Sequence, residues 1–319
     1  MAAKCLFLCL VLLAISLFFA GLESNRNFIV NKIKYSYETL YLLRESCSNH
    51  GRAIWRIEDS LANNPKYIEK FLKQSIFGQD LAIEKLSFYL SSHLSKKYSR
   101  KSLSLLLTGY TGIGKTFTSH KIADLIFKKG IESKYFLHIQ SNYLFTSLTD
   151  SSDSKTILKN MLLKQIKLCP KSVIVIDEAD KLPQGIIDTI LPFIQHGAKI
   201  EGMDFTHAIF LLISNVAGET INQLYIDNWL SGQKEEIVQD DLKFHRKIVT
   251  EIVGNNQLKG FYQSDILKRL ALDDIVIFSP LQRKHVAQCI DDSLKKFEDT
   301  NRILKNDTIK QKIKAKISE

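Results

Sequence analysis

Eight residues near the end of the first third of the chain restrict its fold more than any other stretch. Gly109-Tyr110-Thr111-Gly112-Ile113-Gly114-Lys115-Thr116 fits G-x-x-x-x-G-K-[ST] at every fixed position. It stands between a short apolar run, Leu103 to Leu107, and an amphipathic stretch from Lys115 to Lys129. A buried strand that runs into a glycine-rich loop and straight out into a helix is the setting this pattern requires. Gly109, Gly112 and Gly114 let the backbone turn tightly and aim several N–H groups at one point. The helix that starts near Lys115 adds the positive end of its dipole there. The expected occupant is a polyphosphate, and the expected cofactors are ATP and Mg²⁺. Residues 109–116 cradle the nucleotide, Lys115 neutralises its outer phosphates, and the Thr116 hydroxyl ligates the metal.

A second element lies farther along. Val173-Ile174-Val175-Ile176-Asp177-Glu178 is a β-branched strand ending in two carboxylates. Strand ends in a parallel sheet open onto the ligand crevice. Asp177 is therefore expected to hold the Mg²⁺ hydration shell, and Glu178 to orient and polarise the attacking water. A helix cap is the plainer role for Asp177 taken alone. Asn215 ends another apolar strand, Ala208 to Ser214. Alone it reads as a turn residue; beside the other two elements its amide is expected to reach the terminal phosphate or the water from the opposite side. The catalytic set is thus Lys115, Glu178 and Asn215, with Thr116 and Asp177 as metal ligands.

Around these landmarks strands alternate with helices, which predicts an α/β fold: a mainly parallel sheet with helices on both faces. Helices are expected from Pro65 to Ser95 with a break at Phe77-Gly78-Gln79 and Asp80 capping the second. Further helices are expected over Lys155–Leu168, Gln184–Gln195 and Gly218–Val253, with strands over Tyr135–Gln140 and Ile275–Phe278. The expected organisation is a signal peptide (1–21), a lead-in (22–60), a nucleotide-binding domain (61–279) and a partial, truncated helical lid (280–319).

The signal peptide rests on Lys4, the apolar run Cys5 to Phe19, and the small residues Ala20 and Gly21. That run is short for a membrane span, which takes ~20 apolar residues. An uncleaved anchor is the alternative, because Phe18 stands where a small residue is wanted. In either case the remainder enters the secretory pathway. Outside that segment are Cys47, Cys169 and Cys289, which in an oxidising compartment allow one bridge and one remainder. The net charge of +10 leans toward C-terminal lysines. No aromatic residue follows Phe297 to offer a stacking surface, so a solvated helix face is favoured over a nucleic-acid patch, and no nucleic-acid partner is expected.

The order of these elements is that of AAA+ proteins, and the wording resembles the torsin family from about Cys47 to Ser293. The matching stretches include Ile76-Phe-Gly-Gln-Asp-Leu-Ala82, Gly109-Tyr-Thr-Gly-Ile-Gly-Lys115, Asp177-Glu-Ala-Asp-Lys181 and Ser214-Asn215. Trp229-Leu-Ser-Gly232, Gly260-Phe-Tyr262 and Pro280-Leu281 extend the series. The resemblance implies an ATPase of the endoplasmic reticulum lumen and perinuclear space. It also implies a Cys47–Cys169 pair, homo- or hetero-oligomeric assembly, and membrane-protein activators whose lumenal domains donate an arginine. In Clp-type relatives an arginine precedes the final strand; Ala271 stands at that position here, with Arg269 two residues earlier, which suggests slow turnover without a partner. Thr116 departs from the asparagine common in torsins, and the family's Gly-Cys-Lys segment is not found. Ser141 to Ser154 lacks the pore loop of threading unfoldases, as torsins do.

Overall fold

Each strand of the main sheet is mostly apolar and carries apolar side chains on both faces, so both need cover. In the computed structural model five such strands pair: β1 (Leu103–Thr108), β2 (Phe136–Gln140), β3 (Val173–Asp177), β6 (Ile209–Ser214) and β7 (Asp274–Ile277). They lie in the order β2-β3-β6-β1-β7, and every pairing is parallel. The structure describes residues 47, 64–96, 99–142, 151–230, 250–251, 260–268 and 274–300. The signal segment, Arg269, Ala271 and the lysines beyond 300 lie outside them.

Alternation along the strands divides the core. Leu105, Leu107, Val173, Val175, Leu211, Ile213 and Val276 join one apolar cluster, while Leu106, Ile174, Ile176, Phe210, Leu212, Ile275 and Ile277 join another. Three helices supply the first side: α1 (Pro65–Lys73), α2 (Asp80–Leu94) and α3 (Lys115–Ile126). The second is covered by α4 (Ser151–Leu168), the 187–194 segment and α6 (Gly218–Leu230). Each fully buried Leu or Ile contributes ~1.5–3 kcal/mol, so this double coverage is the main force holding the sheet. Two shorter helices are α5 (Leu191–Ile194) and α7 (Asp265–Lys268), and α8 (Arg283–Thr300) follows β7.

Local chemistry sets the helix ends. Asn64 caps α1 by accepting the Lys66 N–H at 3.1 Å, with Pro65 in the first turn. The cap of α2 is Gln79 rather than the expected Asp80, and the Gln79 side chain makes no capping bond. Gln79 is 1% exposed, and its amide is committed elsewhere. It donates to Ser279 O at 2.9 Å and Ile113 O at 3.3 Å, and accepts the Ser279 N–H at 2.9 Å. Asp80, in the first turn, pairs with Lys73 at 3.1 Å. Helix α3 stops before the expected Lys129 because Phe127 turns extended and is fully buried, its ring 6.4 Å from that of Tyr135.

The expected Gln184–Gln195 helix is instead a 3₁₀ turn, Ile187–Ile190, followed by α5. Gly185 takes φ 75°, outside the helical region, and Pro192 has no N–H to donate to the preceding turn. A two-residue antiparallel hairpin, β4 (Lys199–Ile200) and β5 (Met203–Asp204), was not foreseen. Its turn residues Glu201 and Gly202 both have positive φ, 53° and 77°, as a tight primed turn requires. Helix α4 begins at Ser151, four residues before the expected start at Lys155, and residues 143–150 ahead of it lie outside the described residues. Cys47 and Cys169 are joined by a disulfide with Cα atoms 5.5 Å apart, and Cys289 is free. Among the described residues no helix is long and apolar enough to cross a membrane.

Candidate functional site

The sheet order brings the three expected strand ends together. Strand β6 lies between β1 and β3, with Thr108 opposite Ser214 and Ile176 opposite Leu212. Neighbouring strands are ~4.8 Å apart, so Asn215 stands between the glycine loop and the acidic pair, not across the crevice from them. One cleft of about 720 Å³ is lined by Lys115, Thr116, Asp177, Glu178 and Asn215, with Thr111, Gly112 and Gly114 of the loop. Tyr110 is exposed, and Ile113 is buried beneath the loop.

The loop turns sharply at Gly109, φ 150°, where a Cβ would fall 2.7 Å from both Ile113 Cδ1 and Phe278 O. Gly114, φ 100°, is the residue before α3, whose first-turn N–H groups open on the cleft. Lys115 is 5% exposed. Its Nζ donates to Gly109 O at 2.7 Å and Tyr110 O at 2.5 Å. Burial pushes its pKa down to about 8, against the pull of the Asp180 and Asp177 carboxylates. The ammonium thus has backbone acceptors for direction but remains short of negative charge. A polyphosphate at the same mouth would supply that charge.

Asp177 ends β3 buried, and Oδ2 accepts the Thr116 hydroxyl at 2.9 Å. His138 Nε2 lies 3.2 Å from the same oxygen, and the Glu178 N–H donates to Oδ1 at 2.9 Å. Burial pushes the carboxyl pKa up, but the hydrogen bonds from His138 and Thr116 outweigh it and hold the group below the usual carboxylate range. Two hard oxygens, one hydroxyl and one anionic carboxylate, suit Mg²⁺, which keeps several waters and takes phosphate oxygens. Among the described residues no group of three or more His, Cys, Asp or Glu forms a cation cage. The donor set present fits a metal held partly by its substrate.

Glu178 follows in the left-handed region, φ 54° and ψ 45°, a conformation costing ~1 kcal/mol or more for a side-chain-bearing residue. This turns its carboxylate toward the cleft, where Asn142 Nδ2 donates to Oε2. Asn142 was missed in the sequence. It lies two residues past Gln140, the last of β2, which also lines the cleft, and the strand-end rule applied to β2 would have found both. His138 carried no such signal, because only the β2–β3 pairing brings it to Asp177. Behind it, His120 and Phe136 complete a ring cluster, with the two imidazole centroids 5.4 Å apart.

Known proteins supply an independent comparison. A family model described as Torsin matches residues 45–176. A torsin-like protein of Caenorhabditis elegans is 32% identical over 221 residues, covering 69% of this chain and 61% of its own length. The chain therefore spans about three fifths of that relative. Among solved structures, the S. cerevisiae Hsp104–ADP complex superposes with TM-score 0.52 at 20% identity, over 76% of this chain and 40% of that one. A closed state of Hsp104 with ATPγS and FITC casein gives 0.56 at 19% identity, over 83% and 43%. At such identities the structural likeness speaks for the fold alone, a parallel α/β sheet similar to that of the AAA+ protein Hsp104. The sequence matches go further and mark the chain as a relative of the torsins.

Proposed function

We propose that this chain binds ATP with Mg²⁺ and hydrolyses it slowly, as an ATPase of the endoplasmic reticulum lumen and perinuclear space. The observation that carries the reading is the convergence of Lys115, the Thr116–Asp177 pair, Glu178 and Asn215 on one cleft. Lys115 leaves its loop carbonyls for the outer phosphates, and the loop N–H groups hold the oxygens between them. Thr116 and Asp177 would hold Mg²⁺, which when bound offsets charge building on the phosphates. Glu178 orients the water and takes its proton, and Asn215 fixes the terminal phosphate between loop and base. Positioning and charge stabilisation are the whole of the protein's task in this chemistry.

The Cys47–Cys169 disulfide supports an oxidising compartment, as does the signal-like N-terminus. Ala271 at the finger position supports a lumenal activator domain of a membrane protein that supplies arginine and joins this chain in a homo- or hetero-oligomer. The output is remodelling of protein or membrane-associated complexes.

A second reading has one observation in its favour. The Asn142 amide donates to the Glu178 carboxylate and so occupies one of the oxygens that would receive the water's proton. A nucleotide-gated scaffold with little turnover would use that arrangement. Purified protein, with and without a lumenal activator domain, separates the two. Stimulated hydrolysis that Glu178→Gln abolishes supports the ATPase. Equal ATP binding by both forms with no stimulated turnover establishes the scaffold.

A further inference from the structure

The turn that carries Glu178 is fixed by a residue to which the mechanism above gives no part. Asp180 is 4% exposed, two residues beyond Glu178. Its Oδ1 accepts the Ser214 hydroxyl at 2.7 Å and the Asn215 N–H at 3.4 Å. Ser214 is 1% exposed, and its Oγ also accepts the Val216 N–H at 3.1 Å, so the hydroxyl has a single direction left in which to donate. On the other side, the Asp180 carbonyl accepts the Gly260 N–H at 3.1 Å. A Cβ on Gly260 would fall 2.1 Å from Ala179 O, so the two backbones close on each other there. Among the described residues, the side-chain cation within 4 Å of the carboxylate is Lys181 Nζ at 3.6 Å, on a half-exposed residue.

A buried carboxylate costs several kcal/mol in desolvation, and an apolar side chain of similar volume usually fills such a place at least as well. Packing alone therefore gives no reason for Asp180. The hydrogen bonds of its carboxylate run to Ser214, the last residue of β6, and to Asn215 just beyond it. They tie the left-handed turn of β3 to the strand end carrying Asn215, across the β3–β6 pairing that stops at Ile176 and Leu212. Beyond that point the ladder no longer sets the spacing between Glu178 and Asn215.

We propose that Asp180 is a positioning residue that sets Asn215 against the terminal phosphate, in register with Glu178, through the Ser214 hydroxyl. This rests on the ATP reading and adds to it the source of discrimination between ATP and ADP. Asp180 itself touches no substrate. Through Asn215 it acts on a group that ADP lacks.

The test measures affinities for Mg·ATP and Mg·ADP, with turnover, for the full chain and for Ser214→Ala, Asp180→Asn, Asp180→Ala and the Ser214→Ala/Asp180→Ala double variant. Ser214→Ala and Asp180→Ala are expected to bind ADP within about twofold of the wild type. Each should lose about tenfold or more in its preference for ATP, the loss of one charge-assisted bond. The double variant should lose no more than either single change, because both act through one bond. Asp180→Asn retains an acceptor oxygen and should fall between them and the wild type. If Asp180→Ala does not fold, Ser214→Ala carries the test alone. Parallel losses for ATP and ADP, an unchanged preference, or losses that multiply in the double variant overturn the role of Asp180. A wild type that binds neither nucleotide overturns the ATP reading beneath it.

Discussion

Two sharp turns face each other across the cleft, and they reach their shapes by opposite means. The loop after β1 contains three glycines at positive φ, 150°, 78° and 100°. Its conformation is inherent in its composition, because glycine takes such angles without steric cost. The turn after β3 puts a glutamate in the left-handed region instead, at φ 54°. Nothing in Asp177-Glu178-Ala179 prefers that geometry. It is imposed by the Glu178 N–H on Asp177 Oδ1 and the Lys181 N–H on Glu178 O at 2.8 Å, with Asp180 bound to Ser214 beyond. A turn that binds can be made of permissive residues; a turn that aims a side chain needs that side chain, and the surroundings must hold it.

Charge reversal at the first turn should have the largest effect. Lys115→Glu is expected to weaken Mg·ATP binding by about three orders of magnitude, because a buried cation becomes an anion facing phosphate. Unaltered affinity in a folded variant would break the comparison at once. At the second turn, Glu178→Gln should retain ATP affinity and lower partner-stimulated turnover by about 10²–10³-fold. If binding falls with turnover, the two turns do not divide the work as described.

Stability distinguishes the turns next. Gly260→Ala is expected to cost ~1–3 kcal/mol in chemical denaturation, since its Cβ would meet the Ala179 carbonyl that backs the acidic turn. Gly112→Ala, with nothing within 4 Å of its Cβ, should cost only the ~1 kcal/mol of a positive φ. Equal costs would mean that the acidic turn is not held from outside.

The pH dependence follows from Lys115, whose pKa lies at about 8 against an ordinary 10.5. The charged form binds phosphate, so ATP affinity should fall by up to tenfold per unit as pH rises above about 8. The nucleotide-free fold should change the other way. Between about 8 and 10.5 the unfolded chain binds the extra proton, so stability rises with pH there. Titration calorimetry and denaturation across that range check both signs. The smallest effect is expected from Asn142→Ala, which frees the Glu178 carboxylate and should raise basal turnover about threefold. A decrease would show that Asn142 assists the base.

Legibility in the sequence follows the same division. Loop, strand β3 and strand β6 could be read because their chemistry is local: glycines at fixed spacing, β-branched runs, a polar residue at each end. The alternation of strands and helices gave the layered fold for the same reason. What escaped depends on distant neighbours. Gln79 abandons the α2 cap for a backbone 200 residues away, and Phe127 ends α3 early by entering the core. The Glu201-Gly202 hairpin and the 3₁₀ turn before Pro192 turn on single residues that outweigh a longer pattern. Asp180 stood within a stretch that resembles the family, yet its partner is reached only through sheet order. Arginine supply was judged on Ala271 and Arg269, which lie outside the described residues, so that expectation rests on sequence.

The cross-link between Cys47 and Cys169, 122 residues apart, also sets a mechanical property of the molecule. Covalently, it closes a ring that contains α1, α2, the glycine loop, β2 and α4. A tether on the amino-terminal side cannot peel α1 or α2 away one turn at a time. The force bypasses them and enters at Cys169, just ahead of β3, the strand that ends in the acidic pair. Tension applied to the chain ahead of Cys47 would thereby be delivered to the sheet's interior, with the glycine loop sheltered inside an unloaded circuit.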